Sequence, residues 1–377
     1  MRSYQRSGLH PFLVVRSMDW TLLHTTVVSA GTTPTARLAW PPMRIGLALP
    51  HYDYSFPDGK PLSWPRLVDA AQKAEALGFD SVWISDHFFL DLARYGGSAE
   101  PAGTVEPFTA LAALATTTAR VRLGTLVVCA PFRHPAHVAK MATAIDLISG
   151  GRFDLGLGAG WYEPEFSAFG YELPSIGDRF SMLEESVEVI AGLFAEGPFT
   201  HDGKRFQIDN AYNHPRPAQP SGPPIWVGGK GGDRLLRLVA RHASGWNTVW
   251  KRTVDSFAER AGKLRQVAEA LGRDPRSIRL SIGLYTLVGE DEEDLARRFR
   301  TLQRWAPGGA LNGESLDDYG RETLTGTPKA CLEKLASFAS AGAEEFIVGA
   351  GSMPFSVADW SMVELVAEAL IPEARKL

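Results

Sequence analysis

Short apolar runs typical of buried strands alternate with helical patterns along most of the chain, beginning at Met43. Runs rich in Val, Ile and Leu and bounded by turn residues predict strands. Eight such runs occur, at residues 44–49, 81–85, 121–128, 152–157, 224–228, 245–249, 278–288 and 345–348. Helical patterns lie between them, at residues 64–77, 107–118, 135–148, 178–194, 233–242, 254–271, 290–305 and 328–340.

The alternation predicts parallel strands joined by crossover helices, the α/β class. An open doubly wound sheet would alternate in the same way. Eight units without an early glycine-rich dinucleotide motif favour closure into a (β/α)8 TIM barrel with an insertion after strand 4. The glycines at Gly156, Gly158 and Gly160 follow the fourth predicted strand and lack a downstream acidic partner, so we interpret them as a loop that a cofactor approaches.

Length and composition agree with this class. The 377 residues, 45% of them hydrophobic, suit a barrel with insertions. A net charge of -4 gives no reason to expect a nucleic acid or an anionic membrane as partner. The two cysteines, Cys129 and Cys331, stand far apart outside any CxxC pair, which argues against disulfides and zinc and favours the cytoplasm. We expect no metal site.

The first 42 residues differ from the rest of the chain. They contain four prolines and a single acidic residue, Asp19, and their apolar pieces are too short for a signal-peptide core. We interpret residues 1–42 as an N-terminal extension, either a disordered tail or the product of an upstream start codon, with a transit-like leader as a further alternative. Residues 43–377 are then the barrel domain.

Active sites of such barrels lie at the carboxyl ends of the strands. The second predicted strand ends in Ser85, Asp86 and His87, so an acid and an imidazole leave the rim together. Imidazole is the side chain best suited to proton transfer near neutral pH, which makes His87 the catalytic candidate. The alternative is a helix cap or a hydrogen bond at the rim.

The third and fourth predicted strands are followed by residues that could border a ligand. Cys129 could touch a bound ring, although a small buried hydrophobe is the alternative. After the fourth strand, the glycines let backbone approach a flat ring closely, and Trp161 and Tyr162 could stack on that ring. A tight turn with aromatic packing is the alternative.

The fifth predicted strand ends in Gly228, Gly229 and Lys230 and leads directly into a helix. Backbone N–H groups at a glycine-rich turn and at a helix N-terminus favour negative charge, and Lys230 adds a cation. This segment therefore predicts a phosphate site, with a flexible glycine turn as the alternative.

Several segments in this order resemble the luciferase-like monooxygenase superfamily, and within it the branch that uses the deazaflavin coenzyme F420. They are MRIGLALP, DSVWISDHF, VRLGTLVVCAPFRHPAHVAKMATAIDLISGGRFDLGLGAGWYEPEF, PPIWVGGKGGDRLLRLVARHASGWN and GTPKACLEKLASFASAGAEEFIV. The resemblance covers about residues 43–375. It implies the same barrel, with a helical and loop insertion beside the cofactor.

The resemblance also implies roles for single residues. Asp86 matches an acid that hydrogen-bonds the deazaflavin, and His87 matches a histidine that relatives use as proton donor or acceptor. Leu126 and Val127 match a bulge where relatives carry a cis peptide behind the ring. The positions that match other cofactor contacts are Cys129, Ala159, Gly160, Gly228, Gly229 and Lys230.

The function that follows is hydride transfer between coenzyme F420 and a small organic substrate. An FMN-dependent monooxygenase is the alternative, and a non-catalytic flavin binder is a third possibility. A separate flavin or F420 reductase is a possible partner, and the resemblance suggests a homodimer. Trp161 stands where F420-dependent sugar-phosphate dehydrogenases carry a catalytic glutamate, so we do not expect a sugar phosphate. The insertion and the loop at residues 307–325 are expected to shape the pocket, the latter as a lid or a plain surface loop.

Overall fold

Most residues of the barrel strands are buried, because helices cover one face of the sheet and the barrel interior lies on the other. The computed structural model describes residues 42–377. The strands in this range are β1 Arg44–Ala48, β2 Ser81–Ile84, β3 Phe89–Leu90, β4 Ala102–Gly103, β5 Arg122–Thr125, β6 Val128–Cys129, β7 Phe153–Gly158, β8 Phe199–Asp202, β9 Gln207–Ala211, β10 Ile225–Gly228, β11 Gly245–Trp250, β12 Arg279–Val288, β13 Leu324–Gly326 and β14 Glu345–Gly349.

The helices between them pack their apolar faces on the outside of the sheet. In the described range they are α1 Trp64–Ala76, α2 Pro107–Thr117, α3 Pro135–Ser149, α4 Glu163–Ala168, α5 Ile176–Phe194, α6 Asp233–His242, α7 Val254–Ala270, α8 Glu292–Trp305, α9 Leu316–Glu322, α10 Pro328–Ser340, α11 Trp360–Ala369 and α12 Ile371–Ala374. The expectation for the N-terminal extension lies, apart from Pro42, outside the described residues.

Parallel pairing closes eight of these strands into a barrel. Their order around it is β10, β11, β12, β14, β1, β2, β5 and β7, and β10 pairs with β7 to complete the ring. The predicted (β/α)8 barrel is therefore confirmed. Apart from the third, the predicted strands agree with the observed ones to within one residue at each end.

The third predicted strand, at residues 121–128, is interrupted in the structure, so the prediction of one continuous strand was wrong. The ladder ends with β5 at Thr125 and resumes in β6, which pairs with β7 through Val128 and Cys129. The peptide bond between Leu126 and Val127 is cis, as the resemblance implied for this bulge.

Two tryptophan rings fill the barrel interior. Trp83 of β2 and Trp226 of β10 meet edge to face, with ring centroids 6.3 Å apart. Because β2 and β10 are not neighbours in the sheet, the two rings meet across the interior. Gly46 on β1 leaves room for Trp83, since a Cβ at Gly46 would lie 2.9 Å from the indole nitrogen. The barrel is thus a packed core, and a ligand has room only at its ends.

Buried ion pairs occupy the amino-terminal end. Glu345 at the start of β14 accepts hydrogen bonds from Arg44 at 2.9 Å and from Ser81 at 2.6 Å. Asp154 on β7 pairs with Arg122 at 2.5 Å. These charged groups have partners within the barrel wall, so this end has a structural role and the candidate site lies at the other.

The structure of residues 307–325, which lie outside the eight strand–helix units, differs from the expectation. Residues 307–325 were expected to form a loop, but they contain helix α9 and the start of β13, which pairs with β12. Pro307 packs on the loop between β3 and β4, because a Cβ at Gly97 would lie 2.6 Å from the Pro307 Cβ. After strand 4, the insertion contains α4 and the β8–β9 hairpin.

Across residues 42–377, every helix is too short or too polar to cross a lipid bilayer.

Candidate functional site

His87 leaves the carboxyl end of β2 and meets a buried carboxylate. Its Nδ1 lies 2.8 Å from Oε1 of Glu165, which is 1% exposed. The second oxygen of Glu165 accepts the backbone N–H of Phe88 at 2.8 Å. A carboxylate only accepts, so Nδ1 is the donor and carries the hydrogen. Within residues 42–377 the other ring nitrogen, Nε2, has no hydrogen-bond partner.

Two aromatic side chains from the fourth strand end border this imidazole. The rings of Trp161 and Tyr162 lie 5.7 Å and 6.0 Å from that of His87, both edge to face. Tyr162 is buried and its hydroxyl donates to Asp91, whereas Trp161 is 44% exposed. Trp161 is therefore the ring of the two that solvent or a ligand can reach.

Asp86 is occupied by protein donors. Its two oxygens accept Arg133 at 2.5 Å and 3.0 Å, and one of them also accepts the backbone N–H of Cys129 at 3.0 Å. The carboxylate thereby ties β2 to β6 at the rim. Burial raises the pKa of the Cys129 thiol, so that side chain is a neutral apolar wall. Contact of Asp86 and Cys129 with a coenzyme stays a prediction.

Val127 projects into the mouth between three glycines. A Cβ at Gly158 would lie 2.6 Å from the valine side chain, and a Cβ at Gly228 would lie 2.8 Å from it. At Gly156 a Cβ would first meet the Thr125 carbonyl oxygen at 2.1 Å and then Val127 at 3.0 Å. These glycines therefore leave room for Val127. A flat ligand would meet the valine at this point.

The local structure also requires glycine at position 160. Its φ of 76° lies in the left-handed region, and a Cβ there would lie 2.6 Å from the Cys129 sulfur. Ala159 beside it is half-buried and packs against the core. The turn therefore brings backbone, without bulky side chains, to the edge of the mouth next to Cys129.

The glycine turn after β10 is partly engaged by the protein itself. The N–H of Gly229 donates to the Asn247 carbonyl at 3.0 Å, so this amide is not free for a phosphate. Arg252, which follows β11, donates to the Lys230 carbonyl at 3.0 Å. Its pKa is lowered first by burial and further by the like charge of Arg260. Lys230 and Arg252 thus lie at the turn, whereas Arg260 pairs with Glu259 at 3.1 Å and with Asp233 at 4.0 Å.

The helix that follows this turn keeps its first amides available. The N-cap of α6 is Gly232, and no side chain in the described range caps this helix. Other helices of the chain are capped by a side chain, such as α5 by Ser175 and α7 by Thr253. Uncapped N–H groups beside Lys230 and Arg252 form a site for an anion.

A second histidine supports the rim from below. His51 is fully buried; its Nδ1 donates to the Leu49 carbonyl at 2.8 Å, so Nε2 accepts the backbone N–H of Ser85 at 3.1 Å. The Ser85 hydroxyl also lies 2.5 Å from the Tyr52 hydroxyl. Burial lowers the pKa of His51 to about 3, so it stays neutral. His51 positions the residue that precedes Asp86.

The barrel brings the sequence-predicted residues together, because all follow carboxyl ends of parallel strands in one ring. Sequence reasoning missed three side chains, namely Glu165, Arg133 and Arg252. Basic residues directly after the sixth predicted strand were a usable signal for Arg252. Two glutamates stand close together in this segment, and Glu163 is exposed at the start of α4, whereas Glu165 is buried. Only the burial pattern of that short helix distinguishes the two.

Known proteins share both the sequence pattern and the fold. Residues 43–345 match the family model described as luciferase-like monooxygenase. The chain is 32% identical over 244 residues to an F420-dependent glucose-6-phosphate dehydrogenase of Kineococcus radiotolerans, an alignment that covers 64% of this chain and 68% of the relative.

Two further matches differ in the cofactor that they name. The oxygenase component of a flavin-dependent trigonelline monooxygenase of Acinetobacter baylyi is 32% identical over 166 residues, covering 44% of this chain and 42% of that protein. The solved structure of an F420-dependent secondary alcohol dehydrogenase with an F420–acetone adduct superposes with a TM-score of 0.71 at 22% identity, covering 88% of this chain and 99% of that one, and shows the same fold. The family match spans most of the described range, and the chain therefore belongs to the luciferase-like monooxygenase family and is an oxidoreductase.

Proposed function

We propose that this oxidoreductase transfers a hydride between coenzyme F420 and a small organic substrate, and that His87 moves the accompanying proton. One observation carries the proposal. Glu165 holds Nδ1 of His87 at 2.8 Å, so Nε2 is directed away from that bond, at the same barrel end as Val127 and the Gly228 turn. The F420-dependent dehydrogenase among the relatives supports the choice of coenzyme.

The residues at the mouth fit an acidic coenzyme with a flat ring system. Lys230, Arg252 and the uncapped amides of α6 suit its phosphate-bearing tail, with Gly228 and Gly229 beside them. On the ring side, the wall that would face a flat group is apolar or neutral. It consists of Asp86 with its charge paired, Leu126, Val127, Cys129, Ala159, Gly160 and Trp161.

When bound, the coenzyme supplies or accepts the hydride, and the protein positions it and handles the proton. In the reducing direction, Nε2 of His87 gives a proton to the substrate atom that gains negative charge. In the oxidising direction, Nε2 takes the proton from the substrate hydroxyl or amine. Glu165 compensates the positive charge of the protonated imidazole and keeps hydrogen on Nδ1.

Titration of the purified protein with oxidised F420 and with FMN, followed by the quenching of each ligand's fluorescence, tests the coenzyme. We expect F420 to bind at least about tenfold more tightly than FMN. Lys230→Gln and Arg252→Gln should each weaken F420 binding about three- to tenfold. The matched control is Arg300→Gln, an exposed cation on α8, which should change nothing. Absence of F420 binding would remove the proposal.

A flavin-dependent monooxygenase is the second candidate, since a flavin-dependent relative aligns with part of the chain. It would use the same anion site with FMN, reduced by a separate reductase. Tight FMN binding without F420 affinity, together with oxygen consumption by reduced FMN over a substrate panel, would favour it.

We further propose that the protein works in the cytoplasm as a homodimer on a small molecule, without nucleic acid or membrane as a partner. The buried and unpaired state of Cys129 and Cys331 suits a reducing compartment. Sedimentation of the purified chain tests the dimer.

A further inference from the structure

Aromatic side chains from several strand ends form one wall of the barrel mouth. We call Tyr54, Tyr95, Trp250, Tyr285 and Phe355 the aromatic pocket. Trp250 stacks on Tyr285 with centroids 5.6 Å apart and meets Phe355 edge to face at 5.2 Å. Tyr54 and Tyr95 pack against the same cluster as Phe355. Flat apolar surfaces on one wall favour a flat apolar ligand.

Tyr162 connects the aromatic pocket to the proposed proton donor. Tyr162, whose ring lies 6.0 Å from His87, belongs to the same apolar cluster as Phe355 and Trp250. Tyr54 stacks on Tyr52 with ring centroids 4.9 Å apart, and the Tyr52 ring lies 6.3 Å from that of Phe355. The apolar cluster therefore extends from Tyr162, beside His87, to Phe355 and Trp250.

Two hydroxyls of the aromatic pocket remain available. The Tyr54 hydroxyl donates to the Pro354 carbonyl at 3.2 Å. By contrast, neither Tyr95 nor Tyr285 has a hydrogen-bond partner for its hydroxyl in the described part of the chain. Both remain protonated, because burial raises their pKa values. Each can therefore donate a hydrogen bond to a ligand oxygen.

The backbone at Phe355 is strained in a way that keeps its ring in the wall. Phe355 has a φ of 53°, in the left-handed region that bulky residues avoid. Ser55 holds it there by donating to its carbonyl at 2.6 Å. Such strain persists where the surroundings demand it and clusters at ligand sites. The packing of Phe355 against Trp250 is consistent with that use.

A cation stands at the rim of this pocket. The Arg94 guanidinium lies 4.6 Å from the centroid of Trp161, on the loop that also carries Tyr95. Within residues 42–377 no carboxylate lies within ion-pair distance of Arg94. The nearest acid along the loop, Asp91, is engaged by the Tyr162 hydroxyl and the backbone N–H of Ala93. Arg94 is therefore free to pair with an anion.

We propose that the substrate is a flat, largely apolar molecule with an anionic group: its flat part lies in the aromatic pocket and its anion pairs with Arg94. This assignment rests on the proposed function and gives it a substrate class. It places the anion beside Trp161 and the reacting carbon between the aromatic pocket and His87.

Calorimetric titration with three probes tests it, on the protein with and without saturating oxidised F420. The probes are trans-cinnamate, which is flat and anionic, cinnamamide, which is flat and neutral, and hexanoate, which is anionic and flexible. We expect cinnamate to bind about tenfold more tightly than either of the others. Equal affinities for cinnamate and cinnamamide, or no binding of any probe, would overturn the proposal.

Two variants assign the effect to residues. Arg94→Gln should bring the cinnamate affinity to within about threefold of the cinnamamide affinity, while Arg300→Gln preserves the difference. Trp250→Leu should weaken cinnamate and cinnamamide about equally. A preserved difference in Arg94→Gln would overturn the proposal. If the probes behave as expected but F420 does not bind, the proposed function fails and the pocket assignment stands. If F420 binds but the probes do not behave as expected, only the pocket assignment fails.

Discussion

Glu165→Gln changes one atom of the residue that holds His87, and the structure predicts the consequence for the imidazole. The backbone N–H of Phe88 is a fixed donor, so the glutamine carbonyl oxygen must take the place of the oxygen 2.8 Å from it. The glutamine NH2 group then faces Nδ1, which must become the acceptor. Hydrogen therefore moves to Nε2, the wrong nitrogen for a proton acceptor.

The size of this effect follows from the bond that is lost. A hydrogen bond to a buried charged group contributes roughly 1.5–3 kcal/mol. Because 1.4 kcal/mol is about a factor of ten, the carboxylate favours the Nδ1–H tautomer by about 10- to 150-fold. Loss of a positioned acid–base group lowers rates by about 10²- to 10⁴-fold, and we expect kcat to fall within this range. F420 affinity should change less than about threefold, since Glu165 lies away from the anion site.

Nitrogen-15 NMR of histidine-labelled protein at pH 9 reads the tautomer directly, with His87→Asn identifying the signal. Wild type should show hydrogen on Nδ1 and Glu165→Gln should show hydrogen on Nε2. Glu163→Gln, an exposed change on the same helix, is the matched control and should resemble wild type. An unchanged tautomer in Glu165→Gln would refute the reasoning, whatever the activity.

Three further predictions concern the packing that supports the site. Gly228→Ala should cost about 1–3 kcal/mol in urea unfolding, because its Cβ would lie 2.8 Å from Val127, and adding Val127→Ala should restore most of that loss. The pKa of His51 is lowered to about 3 in the folded protein, so as the pH falls below about 6.5 the unfolded chain takes up a proton that the folded chain does not. The free energy of unfolding is therefore retained above about pH 6.5 and falls below it by up to about 1.4 kcal/mol per pH unit. His51→Asn should remove this part of the pH dependence between about pH 7 and pH 5. A pH-independent difference between wild type and His51→Asn would contradict this. Gly97→Val should push Pro307 away and raise amide exchange in residues 307–313, whereas unchanged exchange there would show that the two loops do not support each other.

The local pattern of the sequence determined the architecture. Apolar runs and helix periodicity located the barrel strands, because burial on both faces of a parallel strand leaves a continuous apolar run. The same pattern placed His87 and Lys230 at strand ends, and parallel strands bring such ends to one side of a barrel. The cis peptide bond between Leu126 and Val127 was predicted from the resemblance in the order of motifs and not from periodicity, and the structure confirms it.

The tertiary structure alone decided which side chains meet. Glu165 reaches His87 over 78 positions of sequence, and Arg252 reaches Lys230 from the next strand. The aromatic pocket likewise joins side chains from different strand ends. Periodicity reports whether a residue is buried, but it says nothing about the direction of one side chain across a barrel mouth. That direction depends on barrel closure and on the turns after each strand, which are properties of the whole ring.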